Sequence, residues 1–260
     1  MASLELRGLG HAFGDRTILH PVSICVAPGS VLAVLGENGS GKSTLLRLMA
    51  GDLPLGQGEI WLDSHSLTSL SARARAQRVA LVPQDEPLPF GLTVEDVVAL
   101  GRLPYAQGIW ENATDWDAMR GAMEEMGILD LRSRPMSELS GGQRQRVRVA
   151  RARAQETEVV LLDEPTNHLD VRTTQALVGR IRSWAQAGAT VVVATHDLNW
   201  ANTVADTALL LKEGWVVAQG DPQNVFHPEP LSQAFGVKFR ALDGPMGTYL
   251  VPETDGRESP

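Results

Sequence analysis

The stretch Gly36-Glu37-Asn38-Gly39-Ser40-Gly41-Lys42-Ser43-Thr44 sets a lysine and a hydroxyl directly after a glycine, with another glycine five positions before. This is the G-x-x-x-x-G-K-S spacing of a P-loop. Glycines let the backbone approach a phosphate closely and take up positive φ. Successive N–H groups then cradle an anion at a helix N-terminus. In such a loop Lys42 reaches the β- and γ-phosphates of a nucleoside triphosphate and Ser43 ligates Mg²⁺. A second candidate follows the apolar run Val159-Val160-Leu161-Leu162. There Asp163 is placed to hold Mg²⁺, the Walker B arrangement, and Glu164 to orient or deprotonate an attacking water. These residues specify the triphosphate but leave kinase, GTPase, transporter and DNA-repair chemistry all open.

Such chemistry has to be held at strand ends and helix starts. Val31-Leu32-Ala33-Val34-Leu35 ahead of the loop is a short apolar run of strand type, and Leu45, Leu46, Leu48 and Met49 behind it continue as a helix closed by Gly51. Residues 3–35 read as strands, with the turn Ala27-Pro28-Gly29. Glu59-Ile60-Trp61-Leu62 and Arg78-Val79-Ala80-Leu81-Val82-Pro83 are further strands. Helices are expected over Leu70 to Gln77, from a Thr93 cap to Leu100, over Asp117 to Met126, from Ser140 to about Gln155 and over Thr173 to Ala187; 101–116 reads as loop. Thr190-Val191-Val192-Val193-Ala194 is a buried strand ending at Thr195-His196-Asp197, and residues 208–217 read as a hairpin. Asp221-Pro222 opens a terminal helical region, and Thr254 to Pro260 is expected to be disordered. Strands alternating with helices imply an α/β fold with a mostly parallel sheet, whose ligand sites lie beyond the strand ends.

The 260 residues are 43% hydrophobic and 21% charged, enough for one large globular unit with a buried core. A net charge of -8 argues against nucleic acid as the main partner. Cys25 is the only cysteine, so neither an internal disulfide nor a cysteine-based zinc site is available, and it reads as a core residue. The N-terminus lacks signal-peptide character, and no apolar run nears the roughly 20 residues of a spanning helix, so a membrane role is expected to be peripheral. His11, His20, His65 and His227 lack metal-ligand spacing. Trp110 and Trp116 read as packing residues, and Arg144, Arg146, Arg148, Arg151 and Arg153 as a solvated helix face.

Leu139-Ser140-Gly141-Gly142-Gln143, shortly before the Asp163 strand, is identical to the signature of ATP-binding cassette (ABC) ATPases. Gln84 resembles the Q-loop glutamine of that family, Asn167-His168-Leu169-Asp170 its D-loop, and His196 its switch histidine. The resemblance covers about residues 3–225, with every motif in order. It implies the ABC ATPase fold: a RecA-like core over 1–84 and 156–225 with an antiparallel β subdomain, a helical subdomain over 85–155, and a C-terminal extension over 226–260. It implies ATP and Mg²⁺, with Ser43, Gln84 and Asp163 as metal ligands, and Gln84, Glu164 and His196 serving hydrolysis. Phe13 stands where the family most often has a tyrosine that stacks on adenine; its ring keeps that face. Ser140 is a good N-cap and Gly141-Gly142 leave N–H groups accessible at a helix start. The family places this loop far from the same subunit's P-loop. The resemblance therefore implies a head-to-tail homodimer, in which Ser140, Gly141, Gly142, Gln143 and Asp170 of one subunit complete the nucleotide site of the other.

The chain carries one cassette, with no long coiled coils and no fused membrane helices. It is therefore similar to the separate ATPase subunits of bacterial or archaeal importers. Leu92-Thr93-Val94-Glu95-Asp96-Val97-Val98-Ala99-Leu100-Gly101-Arg102-Leu103-Pro104-Tyr105 resembles the helical segment of iron-siderophore, haem and vitamin B12 import ATPases. That implies two integral-membrane permease subunits, a periplasmic or extracellular substrate-binding protein, and a place on the cytoplasmic face of the cell membrane. The permease is expected to dock near residues 85–110, with Glu86 and Arg102 as charged positions of that surface. The alternative is a soluble ABC ATPase acting on nucleic acid or ribosomes.

Overall fold

A computed structural model describes residues 3–84, 86, 91–106, 113–244 and 247–253. The elements run β1 (Leu4–Phe13), β2 (Arg16–Val26), β3 (Val31–Gly36), α1 (Lys42–Ala50), β4 (Gln57–Leu62), β5 (His65–Ser66), α2 (Ala72–Ala76) and β6 (Val79–Val82). Then come α3 (Val94–Ala99), α4 (Ala113–Glu125), α5 (Gly141–Ala154), β7 (Val159–Asp163), α6 (Val171–Gln186), β8 (Thr190–Thr195) and α7 (Leu198–Val204). The chain closes with β9 (Thr207–Lys212), β10 (Trp215–Gly220), α8 (Pro222–Val225), α9 (Pro228–Phe235), β11 (Phe239–Gly244) and β12 (Gly247–Pro252).

A six-stranded sheet in the order β10-β9-β3-β8-β7-β6 carries the molecule, parallel except for the edge strand β10. Every residue of β3, β7 and β8 is buried, as the unbroken Val/Leu/Ala runs require of strands covered on both faces. Alternation sorts their side chains between two cores. Val160, Leu162, Val191 and Val193 join the helices α3–α6, while Val159, Leu161, Val192 and Ala194 pack with α1 and an antiparallel sheet β2-β1-β4-β5. Because β8 lies between β3 and β7, the loops leaving β3, β7 and β8 come out side by side. A third cluster joins α7, α8 and α9 to Leu250 of the hairpin β11-β12.

Several expectations change. Cys25 is exposed, because Val22, Ile24 and Val26 take the inward positions of β2 and the period of two turns Cys25 outward. The stretch 101–116 is not all loop. Leu100–Tyr105 continue α3 as a 3₁₀ turn, and α4 begins at Ala113. Gly101 permits this turn, since a Cβ there would stand 2.2 Å from the Arg151 carbonyl oxygen of α5. Trp110 and residues 254–260 lie outside the described residues, whereas Trp116 does pack against the helical core. The helix after Asp170 starts at Val171 rather than Thr173, and the hairpin β11-β12 had no counterpart in the sequence reading.

The arginine-rich face of α5 is not simply solvated. Arg146 donates to the Gly127 carbonyl at 2.9 Å, Arg148 to the Glu86 carbonyl at 3.1 Å and Arg151 to the Glu86 carboxylate at 2.7 Å. Arg153 pairs with Glu125 and lies over the Trp184 ring. Their stems cover apolar surface while their heads tie α5 to the segments beside it. Arg102 is likewise no docking charge. It is 7% exposed and bonds Asp115 at 2.8 Å, Glu156 at 2.7 Å and the Ala154 carbonyl at 2.7 Å.

Candidate functional site

Residues 36–44 bridge β3 and α1. Gly36, Gly39 and Gly41 take positive φ values of 149°, 81° and 103°. A Cβ on Gly36 would meet the Leu211 carbonyl oxygen at 2.3 Å, so only glycine fits where the loop leaves the sheet. Ser40 accepts from the Gly214 N–H at 3.1 Å through its carbonyl, and the Gly214 carbonyl accepts from the His20 N–H at 2.9 Å. The β9-β10 turn and β2 thus brace the loop. Glu37, Asn38 and Gly39 are exposed at its crest, Ser40 and Lys42 are buried, and Ser43 and Thr44 are half-buried.

The Lys42 ammonium donates to the Gly36 carbonyl at 2.7 Å and the Glu37 carbonyl at 3.0 Å. Burial pushes its pKa below the usual lysine value, while Glu164, Asp163 and Glu37 hold the charge in place. These carboxylates therefore share one electrostatic site with the P-loop lysine.

Asp163 closes β7 at 3% exposure and Glu164 follows at 4%. Glu164 adopts φ 49°, a left-handed conformation sparsely populated by residues with a Cβ. Its backbone N–H donates to the Ala194 carbonyl at 2.9 Å, pinning the end of β7 to β8. Its Oε2 lies 2.9 Å from His196 Nδ1 and accepts from the Thr195 hydroxyl at 3.4 Å. An ionised carboxylate only accepts, so a hydrogen bond to one calls for the tautomer with its proton on Nδ1 and fixes the ring. The His196 side chain is otherwise 60% exposed. Thr195 escaped the sequence reading, and its one signal was a hydroxyl at a strand end next to His196. It is fully buried, and its Oγ1 also accepts from the Asp197 N–H at 3.1 Å.

The helix starts differ in a way that bears on ligands. α3, α5, α6, α7 and α8 are each capped by a side chain of their own. Helix α1 has Gly41 at its N-cap, no side-chain cap and no acid in its first turn. Its opening N–H donors are thereby left for an anion. The oxygen donors proposed for Mg²⁺, from Ser43, Gln84 and Asp163, are of the type that ion takes. The residues fit both groups.

Gln84 is exposed two positions beyond β6, and Phe13 is 53% exposed at the end of β1, its ring edge-to-face with His11 at 4.6 Å. The Ser140 region lies elsewhere. Ser140 Oγ accepts from the Gln143 N–H at 3.2 Å and Gln143 Oε1 from the Ser140 N–H at 2.9 Å, a reciprocal capping box. Gly141 and Gly142 press on His168, whose carbonyl oxygen would stand 2.9 Å from a Cβ on Gly142. Asp170 caps α6 by accepting from the Thr173 N–H at 2.7 Å, and that bond holds its carboxyl below the usual aspartate range. Together these residues line a groove that contains no residue of 36–44.

Residues 19–167 match the family described as ABC transporter. The chain belongs to this ABC transporter family. As a member it is an ATPase, binding ATP and hydrolysing it to ADP and phosphate. It is 42% identical over 230 residues to the "Hemin import ATP-binding protein HmuV" of Pseudomonas fluorescens (strain Pf0-1), an alignment covering 86% of this chain and 89% of that protein. It is 35% identical over 247 residues to the "Iron(3+)-hydroxamate import ATP-binding protein FhuC" of Bacillus subtilis (strain 168), covering 94% of this chain and 92% of that one. Among solved structures, "An inward-facing conformation of a putative metal-chelate type ABC transporter" aligns with a TM-score of 0.84 and 29% identity, over 98% of this chain and 99% of the other. The ABC fold is therefore present as the motifs implied. Among the described residues no helix is long and apolar enough to cross a membrane.

Proposed function

We propose that this ABC ATPase powers the import of a metal chelate, of the iron-siderophore, haem or cobalamin class, through a separate permease. The observation that carries the catalytic part is the meeting of three strand ends: the Lys42 loop after β3, Asp163-Glu164 after β7 and His196 after β8. Likeness to the hemin and iron-hydroxamate import proteins over nearly the whole chain supports the cargo class.

In this reading the backbone of Gly36 to Thr44 and the Lys42 ammonium hold the phosphates, and Phe13 offers its exposed face to adenine. Ser43, Gln84 and Asp163 would hold Mg²⁺, which would supply positive charge against the phosphates. Glu164 accepts the proton of the attacking water, and His196 keeps that carboxylate oriented. Ser140, Gly141, Gly142, Gln143 and Asp170 act on the nucleotide of the partner subunit in a head-to-tail homodimer. Their groove, separate from their own P-loop, supports this arrangement. The division into a 1–84 and 156–225 core, an 85–155 helical subdomain and a 226–260 extension belongs to the same reading. So do two permease subunits docking near 85–110, an external binding protein, and a position on the cytoplasmic face of the membrane.

Uptake of labelled haem or a ferric siderophore in cells carrying the chain with its genomic neighbours tests this. Uptake should require the chain and disappear with Glu164→Gln, and the chain should co-purify with a polytopic membrane protein. Salt-sensitive binding to DNA or ribosomes without any membrane partner would instead place it in the other functional class.

A further inference from the structure

The switch histidine is followed at once by α7, and α7 is strapped from outside. Asp197 caps this helix through the Trp200 N–H at 2.9 Å, so His196 sits on the first residue ahead of the cap. One turn on, the Asn199 side chain grips the backbone of Leu250 in β12 from both sides. Its Nδ2 donates to the Leu250 carbonyl at 3.2 Å, and its Oδ1 accepts from the Leu250 N–H at 3.0 Å. Asn202 adds a bond to the Thr248 carbonyl at 3.4 Å. Leu250 itself is 2% exposed among Ala201, Ala205, Phe226 and Leu231. The far strand is anchored to α9, where Ser232 Oγ accepts from the Phe239 N–H at 3.0 Å.

A side-chain amide that satisfies both the donor and the acceptor of one residue of a strand fixes position along that strand as well as distance. A turn later, Asn202 fixes the direction of the helix. A seven-residue helix has little stability of its own, so its orientation comes from what packs on it. The hairpin lies outside residues 19–167, the segment matched to the family.

We propose that Asn199 is a positioning residue for ATP hydrolysis: through it, the C-terminal hairpin β11-β12 holds α7 and thereby sets His196 against Glu164. This rests on the reading of His196 and Glu164 given above. Asn199→Leu has nearly the same shape and removes both bonds to Leu250. It should lower kcat about tenfold, the scale set by losing two net hydrogen bonds that bias one alignment, while leaving KM for ATP unchanged. Amide hydrogen exchange in the full chain should accelerate at residues 197–202 and not in α1. Asn202→Ala should act in the same direction and more weakly. A melting temperature that falls while kcat stays within about twofold of the parent would make the strap merely structural and overturn the proposal. A matching rise in KM would overturn it too, because it would put the effect on binding. The His196→Ala variant separates the two levels. If His196→Ala loses hydrolysis and Asn199→Leu does not, the strap is wrong and the site stands; if His196→Ala hydrolyses like the parent, the reading beneath it has failed.

Discussion

Replacing Glu164 by glutamine separates binding from chemistry. Glutamine keeps the shape, and its amide oxygen can still accept from His196 Nδ1 and the Thr195 hydroxyl, the contacts Oε2 now makes at 2.9 and 3.4 Å. The capacity to take a proton from water is what disappears. General-base catalysis contributes about 10²–10⁴-fold, and at 1.36 kcal/mol per tenfold that is about 2.7–5.4 kcal/mol of barrier. Nucleotide binding should move the other way. Glu164 is the foremost of the carboxylates acting on the Lys42 charge, so its neutralisation removes one buried negative charge from a site that receives phosphates. ATP affinity should hold or rise, and the ATP-closed dimer should persist on size exclusion with ATP but not with ADP. Single-turnover hydrolysis and equilibrium binding of a fluorescent ATP analogue measure the two quantities separately. Parental turnover in Glu164→Gln beside a dead Asp163→Asn would refute the reasoning and leave Glu164 a strand-end charge.

Lys42→Ala removes the ammonium proposed to hold the phosphates and should abolish ATP binding or reduce hydrolysis to background, read by the same binding assay. Cysteines placed at Ser140 and Gly39 should crosslink between subunits only with ATP, and mixing Ser140→Arg with Lys42→Ala subunits should leave one working composite site; no ATP-dependent crosslink would sink the proposed head-to-tail dimer. Arg102→Ala strips the cation from Asp115 and Glu156 and should cost about 2–3 kcal/mol, discounted because both carboxylates are partly exposed, lowering Tm by several degrees. The Asp96 carboxyl is held below its usual 3.8 by bonds from the Thr93 hydroxyl and N–H, so its stabilisation is present above that value and lost as pH falls through the lowered one. Asp96→Asn should therefore lower Tm slightly at pH 7, and the difference should shrink as pH falls below 3.8, as thermal melts across acid pH would reveal.

Most of the proposed nucleotide site was readable because each part is local. The P-loop is nine consecutive residues, and Asp163-Glu164 and His196 each end a short apolar run of buried-strand type. The order of the strands was not readable, yet it is what sets β8 between β3 and β7 and brings His196 to Glu164. Thr195 was missed because a threonine at a strand end has many uses, and only the side-by-side strands give it a carboxylate to bond. The arginines of α5 and Arg102 misled for the opposite reason. A charge in a sequence reads as solvated, and these are ordered by carbonyls and carboxylates many positions away, such as Glu86 for Arg151 and Glu156 for Arg102. Cys25 was misplaced by composition, although the alternation of Val22, Ile24 and Val26 already pointed it outward. The hairpin β11-β12 was missed because a lone two-stranded ribbon carries weak pattern, and its stability comes from α7 and α9.

The two glycine-rich helix starts of this chain are built for different tasks, and the difference argues for the dimer. Helix α1 opens with Gly41 and no side-chain cap, so its N–H donors await a ligand that the same chain carries on the P-loop. Helix α5 is complete in itself, with Ser140 and Gln143 satisfying each other's backbone N–H groups. Yet the Ser140 oxygen only accepts in that box, which leaves its hydroxyl hydrogen to donate, and the box holds that oxygen in place. Gly141 and Gly142 keep the adjoining surface bare of side chains against His168. A donor held in place on an exposed residue, at the positive end of a helix, suits a phosphate that arrives with another subunit. In the head-to-tail dimer proposed above, the α1 site would be filled from within and the α5 site from outside, so that two identical chains would complement each other at both nucleotides.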